Sequence, residues 1–228
     1  MLEMPVLREA IEALYLTFRD YPLRDDTNPC PCCHHDPESE KRIHSKPLRQ
    51  LDHDDLLEYA GDALLTWGDE TTFRHFLPRL FELVIHGEDG DVLFQDPQSV
   101  FAKLKFGSWR SWPVSEQTAI SNYFRQLWAT VIDTTPEKLG LGGAHDWLQA
   151  IAQAETDLSP YFALCLGAES EAAHRNLARI ISDERLPLIE TLPQDYWENC
   201  IPQWHQLVQW LLTQASTRKS ALRHQEVG

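Results

Sequence analysis

Glycine is scarce in this chain, at ten of 228 residues, and the stretches between prolines are filled with Ala, Leu, Glu, Gln and Arg. Scarce glycine and abundant straight-chain residues favour helix over sheet. No run approaches the roughly 18 consecutive apolar residues that a membrane span needs. No positively charged n-region followed by an apolar h-region opens the chain, because Ile11 to Phe18 is short and is broken by Glu12 and Thr17. Cysteine is also sparse. Of five, Cys30, Cys32 and Cys33 crowd one segment while Cys165 and Cys200 stand alone. An odd number with three clustered is no secreted disulfide framework, so the expected location is cytoplasmic.

Cations are few as well. The formal net charge is −15, and residues 51–100 hold two Lys or Arg against twelve Asp or Glu, a balance of −10. Nucleic-acid binding needs cationic groups that displace phosphate counterions, and an anionic membrane surface needs the same, so neither partner is expected. A basic protein partner fits this charge. The same acids also serve plain solubility.

What is present reads as helices. Leu7, Ile11, Leu14 and Phe18 repeat at helical spacing in the first segment, Leu2 to Phe18. Residues 19–50 carry five prolines and no apolar period, and a stretch of that length inside a compact domain is expected to be either disordered or pinned by something. Asp52 is placed to cap a helix from His53 to Trp67 with stripe Leu56, Ala60, Leu64 and Trp67, closed by Gly68 in a left-handed stop. Asp69 caps the next, which buries Phe73, Phe76, Leu77, Leu80, Phe81 and Val84 and is expected to kink at Pro78. Further helices are predicted over 98–105, 114–133, 144–155, 159–166, 169–182 and 195–214, the last interrupted by Pro202, with a frayed tail from Ser216. The expected architecture is all-α: an irregular bundle of eight or nine helices in one domain, residues 1–228. Its short junctions suggest paired helices, but a solenoid would need a fixed repeat period, and none is present.

The residues Asn28-Pro29-Cys30-Pro31-Cys32-Cys33-His34-His35 put five soft or borderline ligands into six positions, and His44 follows. Zinc takes thiolate and imidazole in a tetrahedral shell, and Cys30 and Cys33 have the C-x-x-C spacing that lets two sulfurs reach one ion. The remaining ligands would come from His34, His35 or His44. Such a structural zinc ion would supply the ordering free energy that the proline-broken segment lacks. No second C-x-x-C follows, and a thiol pair with redox character is the other reading of the same spacing. Cys165 and Cys200, beside apolar neighbours, read as small core residues.

The C-x-x-C at Cys30 and Cys33 is followed by Lys46-Pro47-Leu48-Arg49, Asp54-Asp55-Leu56, Tyr59-Ala60, Leu64-Leu65-Thr66-Trp67-Gly68-Asp69, Phe73-Arg74-His75-Phe76-Leu77-Pro78-Arg79, and then Trp109-Arg110 and Trp112-Pro113. Over residues 25 to 130 this resembles a group of bacterial helical proteins to which no function is assigned. The resemblance implies a shared fold and the metal loop, and it implies no activity.

Two functional readings follow. One is a helical interaction or adaptor protein with a zinc-stapled loop and an acidic surface for a basic partner, an immunity-type inhibitor of a cationic toxin being a concrete version. Arg74, His75 and Arg79 are the candidate partner-binding residues, since His75 and Arg79 share a helix face in an acidic stretch. The bland reading of the arginines is that they offset neighbouring acids. The other functional reading is a metal-dependent phosphohydrolase of the HD type, using His53-Asp54 or His35-Asp36 with Asp62 or Asp69. Neither a phosphate-cradling glycine loop after a strand nor a nucleophile elbow is present. Trp109 and Trp112 are either half-buried packing or an exposed contact.

Overall fold

The computed structural model describes residues 5–30, 32–33, 36–85, 96–139, 143–182 and 197–225. Among them are ten α-helices and no strand, so the chain is all-helical. The helices are α1 (Pro5–Phe18), α2 (Pro37–Ile43), α3 (His53–Asp62), α4 (Glu70–Ile85), α5 (Pro97–Phe106), α6 (Val114–Asp133), α7 (Gly143–Ala154), α8 (Ser159–Gly167), α9 (Glu171–Ser182) and α10 (Ile201–Gln225). The chain divides into two compact units, Met1–Thr130 and Val131–Gly228.

In the first unit the apolar stripes of α1 and α4 meet, as their helical spacing dictates. Phe73, Phe76, Leu77, Leu80 and Phe81 are fully buried. Phe81 sits 5.1 Å from Phe101, 4.9 Å from Tyr123 and 5.8 Å from Phe124, ring centre to ring centre. The Tyr123 hydroxyl donates to the Phe81 carbonyl at 2.9 Å. Pro78 is buried within α4, which runs unbroken as one element from Glu70 to Ile85. Trp109 and Trp112 are buried, at 2% and 3% exposure, so they are packing residues and not an exposed contact.

Asp52 caps α3 as its sequence position implies. Its carboxylate accepts from Asp55 N at 3.1 Å and Asp55 accepts from Asp52 N at 3.0 Å, a reciprocal capping box. The helix ends at Asp62, five residues before the predicted Trp67. The Asp62 carbonyl takes the N–H groups of Leu65, Thr66 and Trp67, and Leu64 adopts a left-handed φ of 62°. This tight turn still delivers Trp67 to the core, so the apolar spacing is satisfied without a continuing helix. Gly68 is left-handed, at φ 78°, as expected.

Within residues 19–50 lies a helix, α2, that the lack of an apolar period did not mark. Asp36 caps α2 by accepting from Glu38 N, Pro37 occupies the first turn, and Ser39 and Ile43 are buried. A cap followed by proline is a helix-start signal. It is easily passed over when Asp36 is read as a partner of His35.

In the second unit, α7 buries Trp147, Leu148, Ala150 and Ile151. The Asn176 amide of α9 donates to the carbonyls of Val131, Ile132 and Thr134, satisfying groups that the end of α6 leaves open. Phe162 and Trp210 stack at 4.7 Å. Cys165 and Cys200 are buried. Pro202 does not interrupt the last helix. It is the second residue of α10, where a missing N–H costs nothing. The α10 backbone stays helical to Gln225, beyond the position expected to fray.

Candidate metal centre

The thiol loop rests on a small polar frame. Asp26 accepts the Asn28 N–H at 2.8 Å, and Asn28 takes a left-handed φ of 52°. This redirects the chain so that Pro29 bridges Trp67 antiparallel and Cys30 N donates to the Thr66 carbonyl at 2.7 Å. Thr27 lies beneath, 2% exposed. Its hydroxyl accepts the Trp67 indole N–H at 2.6 Å and is directed at the Glu40 carboxylate, 2.8 and 2.7 Å from its two oxygens. The loop is therefore tied on one side to α2 and on the other to the turn after α3. Glu58 adds a second tie between these helices, accepting the Asp36 N–H at 3.0 Å and the Ser39 hydroxyl.

On this frame Cys33 N donates to the Cys30 carbonyl at 3.1 Å, closing a turn that folds the three thiols together. The sulfurs of Cys30, Cys32 and Cys33 all lie within 4.8 Å of one another, and Cys30 and Cys32 approach to 2.9 Å. The three thiols form a group that could hold a metal ion. Cys32 is exposed, and Cys30 and Cys33 are partly so. The Cys30 thiol is pulled down to about 7, first by the side-chain and backbone hydrogen bonds it accepts from Cys32 and then by that from the Cys33 thiol. Cys33, donating to that sulfur, is pushed up to about 11. An ion binding the three thiols must displace the protons they carry. The donor set suits a soft or borderline cation.

Cys32 is the member of this group that spacing alone did not select. Adjacent side chains ordinarily diverge, and only the tight turn from Cys30 to Cys33 brings the middle thiol in. His34 and His35, expected as ligands, lie outside the described residues. His44 stands at the end of α2, outside the three-thiol group, with Nε2 3.4 Å from Glu40.

The three cationic candidates on α4 are engaged within their own unit. The Arg74 guanidinium lies 4.2 Å from the Trp112 ring, donates to the Tyr21 hydroxyl at 3.2 Å, and pairs with Glu70 and Glu116. His75 Nδ1 lies 2.7 Å from the Tyr21 carbonyl, and burial lowers its pKa. Arg79 donates to the Leu51 carbonyl at 2.7 Å and to Glu82 at 2.6 Å. These contacts tie α4 to the segments following α1 and preceding α3.

His53 and Asp54 occupy the first turn of α3, next to the Asp52 cap. Among the described residues the three thiols are the one group of His, Cys, Asp or Glu side chains that converges as three or more ligands. No helix among those residues is long and apolar enough to cross a membrane. Comparison with protein-family models, with curated proteins and with solved structures finds no match to the chain.

Proposed function

We propose that this chain is a cytoplasmic helical interaction or adaptor protein. Its N-terminal connection is stapled by a zinc ion on the thiolates of Cys30, Cys32 and Cys33, with the fourth ligand drawn from His34, His35 or His44. The observation that carries the reading is the convergence of three sulfurs within 4.8 Å on a loop whose other anchors are a few hydrogen bonds. In this reading the ion is structural. It neutralises the thiolates and locks the loop against Thr66 and Trp67, so that α2 is held on α3.

The partner in this reading is a basic protein, met by the acidic 51–100 stretch. Much of that charge is already paired: Asp52 and Asp55 with Lys46, Asp69 with Arg24, and Glu82 with Arg79. The surplus that remains is what a cationic partner would meet. The phosphohydrolase reading needs His and carboxylate ligands on one ion, and no observation among the described residues favours it.

Elemental analysis with thiol titration tests the metal assignment. The expected result is one zinc per chain, with the loop thiols protected until a chelator is added. Zinc retained in a Cys30→Ser, Cys33→Ser variant would move the site to His and carboxylate ligands and overturn the reading.

A further inference from the structure

The five cysteines fall into two chemical settings. Cys165 and Cys200 are buried in the second unit, whereas Cys32 is exposed and Cys30 and Cys33 are partly so. An oxidant in water therefore meets the loop sulfurs first, since the oxidation of a thiol follows its exposure. Within the loop Cys30 is the common neighbour. Its sulfur lies 2.9 Å from that of Cys32, and the Cys33 thiol also hydrogen-bonds to it. The 3.1 Å bond from Cys33 N to the Cys30 carbonyl closes a four-residue turn, which holds its first and last Cα atoms within about 7 Å. A disulfide bridges Cα atoms roughly 4.4–6.8 Å apart, so Cys30 and Cys33 can join with the turn in place.

We propose that the thiol loop is an oxidation site for hydroperoxides, in which Cys30 reacts with the oxidant and Cys33 closes a Cys30–Cys33 disulfide, leaving Cys32 free. In the first step the Cys30 sulfur attacks the peroxide and the O–O bond breaks. A sulfenic acid forms, and the thiol proton leaves with the alcohol, or with water when the oxidant is hydrogen peroxide. In the second step a neighbouring thiol attacks the sulfenic sulfur, the S–S bond forms, the S–O bond breaks, and water departs with that thiol's proton. Two thiols thus give up two electrons and one O–O bond is reduced. Cys32 is near enough to react first. Exchange then passes the bond to Cys33, whose sulfur attacks Cys30 and expels Cys32. The turn favours this final pairing, because its backbone bond already sets the two ends at bridging distance. A dithiol reductant reverses the oxidation by the same exchange and itself becomes a disulfide. As regulation of the metal centre the inference rests on the zinc reading. The disulfide consumes two of the three sulfur ligands and ejects the ion, while the bond from Cys30 N to the Thr66 carbonyl is untouched.

The test exposes the full chain, metal-free and zinc-loaded, to one equivalent of hydrogen peroxide. Remaining thiols are labelled under denaturing, mildly acidic conditions that halt exchange, and are located by tandem mass spectrometry. The expected result is loss of two of the five thiols, with label on Cys32, Cys165 and Cys200. A dithiol should restore all five, and zinc should leave in step with the disulfide. Cys32→Ser and Cys33→Ser should each still form one disulfide with Cys30, whereas Cys30→Ser should react about tenfold more slowly. Label on Cys33, equal oxidation of Cys165 or Cys200, sulfinic acid in place of a disulfide, or an undiminished rate in Cys30→Ser overturns the proposal. The labelling pattern of the unmutated chain decides the matter even where a variant misfolds. A chain that forms the disulfide but never holds zinc counts against the metal reading alone. A zinc-loaded chain that forms none counts against the oxidation site alone.

Discussion

The thiol loop and the α4 core belong to the same unit yet are held by different forces. Around Phe81 three aromatic rings lie within 6 Å, and every contributing side chain is out of water. Such a region owes its stability to burial and close packing, which are non-directional and insensitive to any one polar partner. Among the described residues from Thr27 to Cys33 only Thr27 is buried, and the segment is fixed by polar contacts at Glu40, Trp67 and Thr66 together with the three thiols. Removing one such contact frees a loop without collapsing a core.

The largest expected effect lies on the packed side. Phe81→Ala should lower stability to urea by about 3–5 kcal/mol, the transfer loss plus the cavity left among rigid rings. The loss should be the same with and without chelator. A chelator-dependent loss would show that the two regions are energetically one.

A smaller effect is expected where the regions join. Thr27→Val leaves the buried Trp67 indole N–H and the Glu40 carboxylate without their shared hydroxyl, at a cost of about 1–3 kcal/mol. Because Trp67 also faces Tyr59 at 5.5 Å, tryptophan fluorescence should shift even where global unfolding moves little. An unchanged spectrum and midpoint would mean that the hydroxyl is not part of the frame.

The smallest effect is a pH dependence. Burial holds His75 below its ordinary value of 6.5, with Nδ1–H donating to the Tyr21 carbonyl in the neutral ring. The unfolded chain binds this proton more readily than the folded one. Stability is therefore full above pH 6.5, declines as pH falls through that value, and levels off below the folded pKa. Urea midpoints between about pH 7.5 and pH 5.5 should fall in the unmutated chain and flatten in His75→Gln. A slope unchanged in the variant would assign the dependence to other groups.

How much of this was readable from residues alone follows from the kind of signal each element carries. The helices α1, α4 and α6 announce themselves through apolar spacing, and Asp52 and Asp69 through capping, because these depend only on neighbours in the chain. The end of α3 was not readable. Leu64 and Trp67 continue the helical period, and only the bridge from Trp67 to Pro29, 38 positions earlier in the chain, explains why the backbone turns at Asp62. The metal-binding potential was legible in Cys30 and Cys33, whereas Cys32 entered through a turn geometry that spacing does not encode. The pairing of Arg74 with Glu70 and of Arg79 with Glu82 was legible as charges offsetting neighbouring acids, whereas the contacts to Tyr21, Leu51 and Glu116 were not, because those partners lie far away in sequence.

The most direct test of the stapled loop is titration of the metal-free chain with Co²⁺, which replaces Zn²⁺ in tetrahedral thiolate sites and is visible where zinc is silent. The expected outcome is saturation at one equivalent. Strong near-ultraviolet absorption from sulfur-to-cobalt charge transfer should be lost stepwise in Cys30→Ser, Cys32→Ser and Cys33→Ser. Weak octahedral bands alone, or a spectrum indifferent to all three substitutions, would show that these sulfurs bind no ion together and would contradict the account.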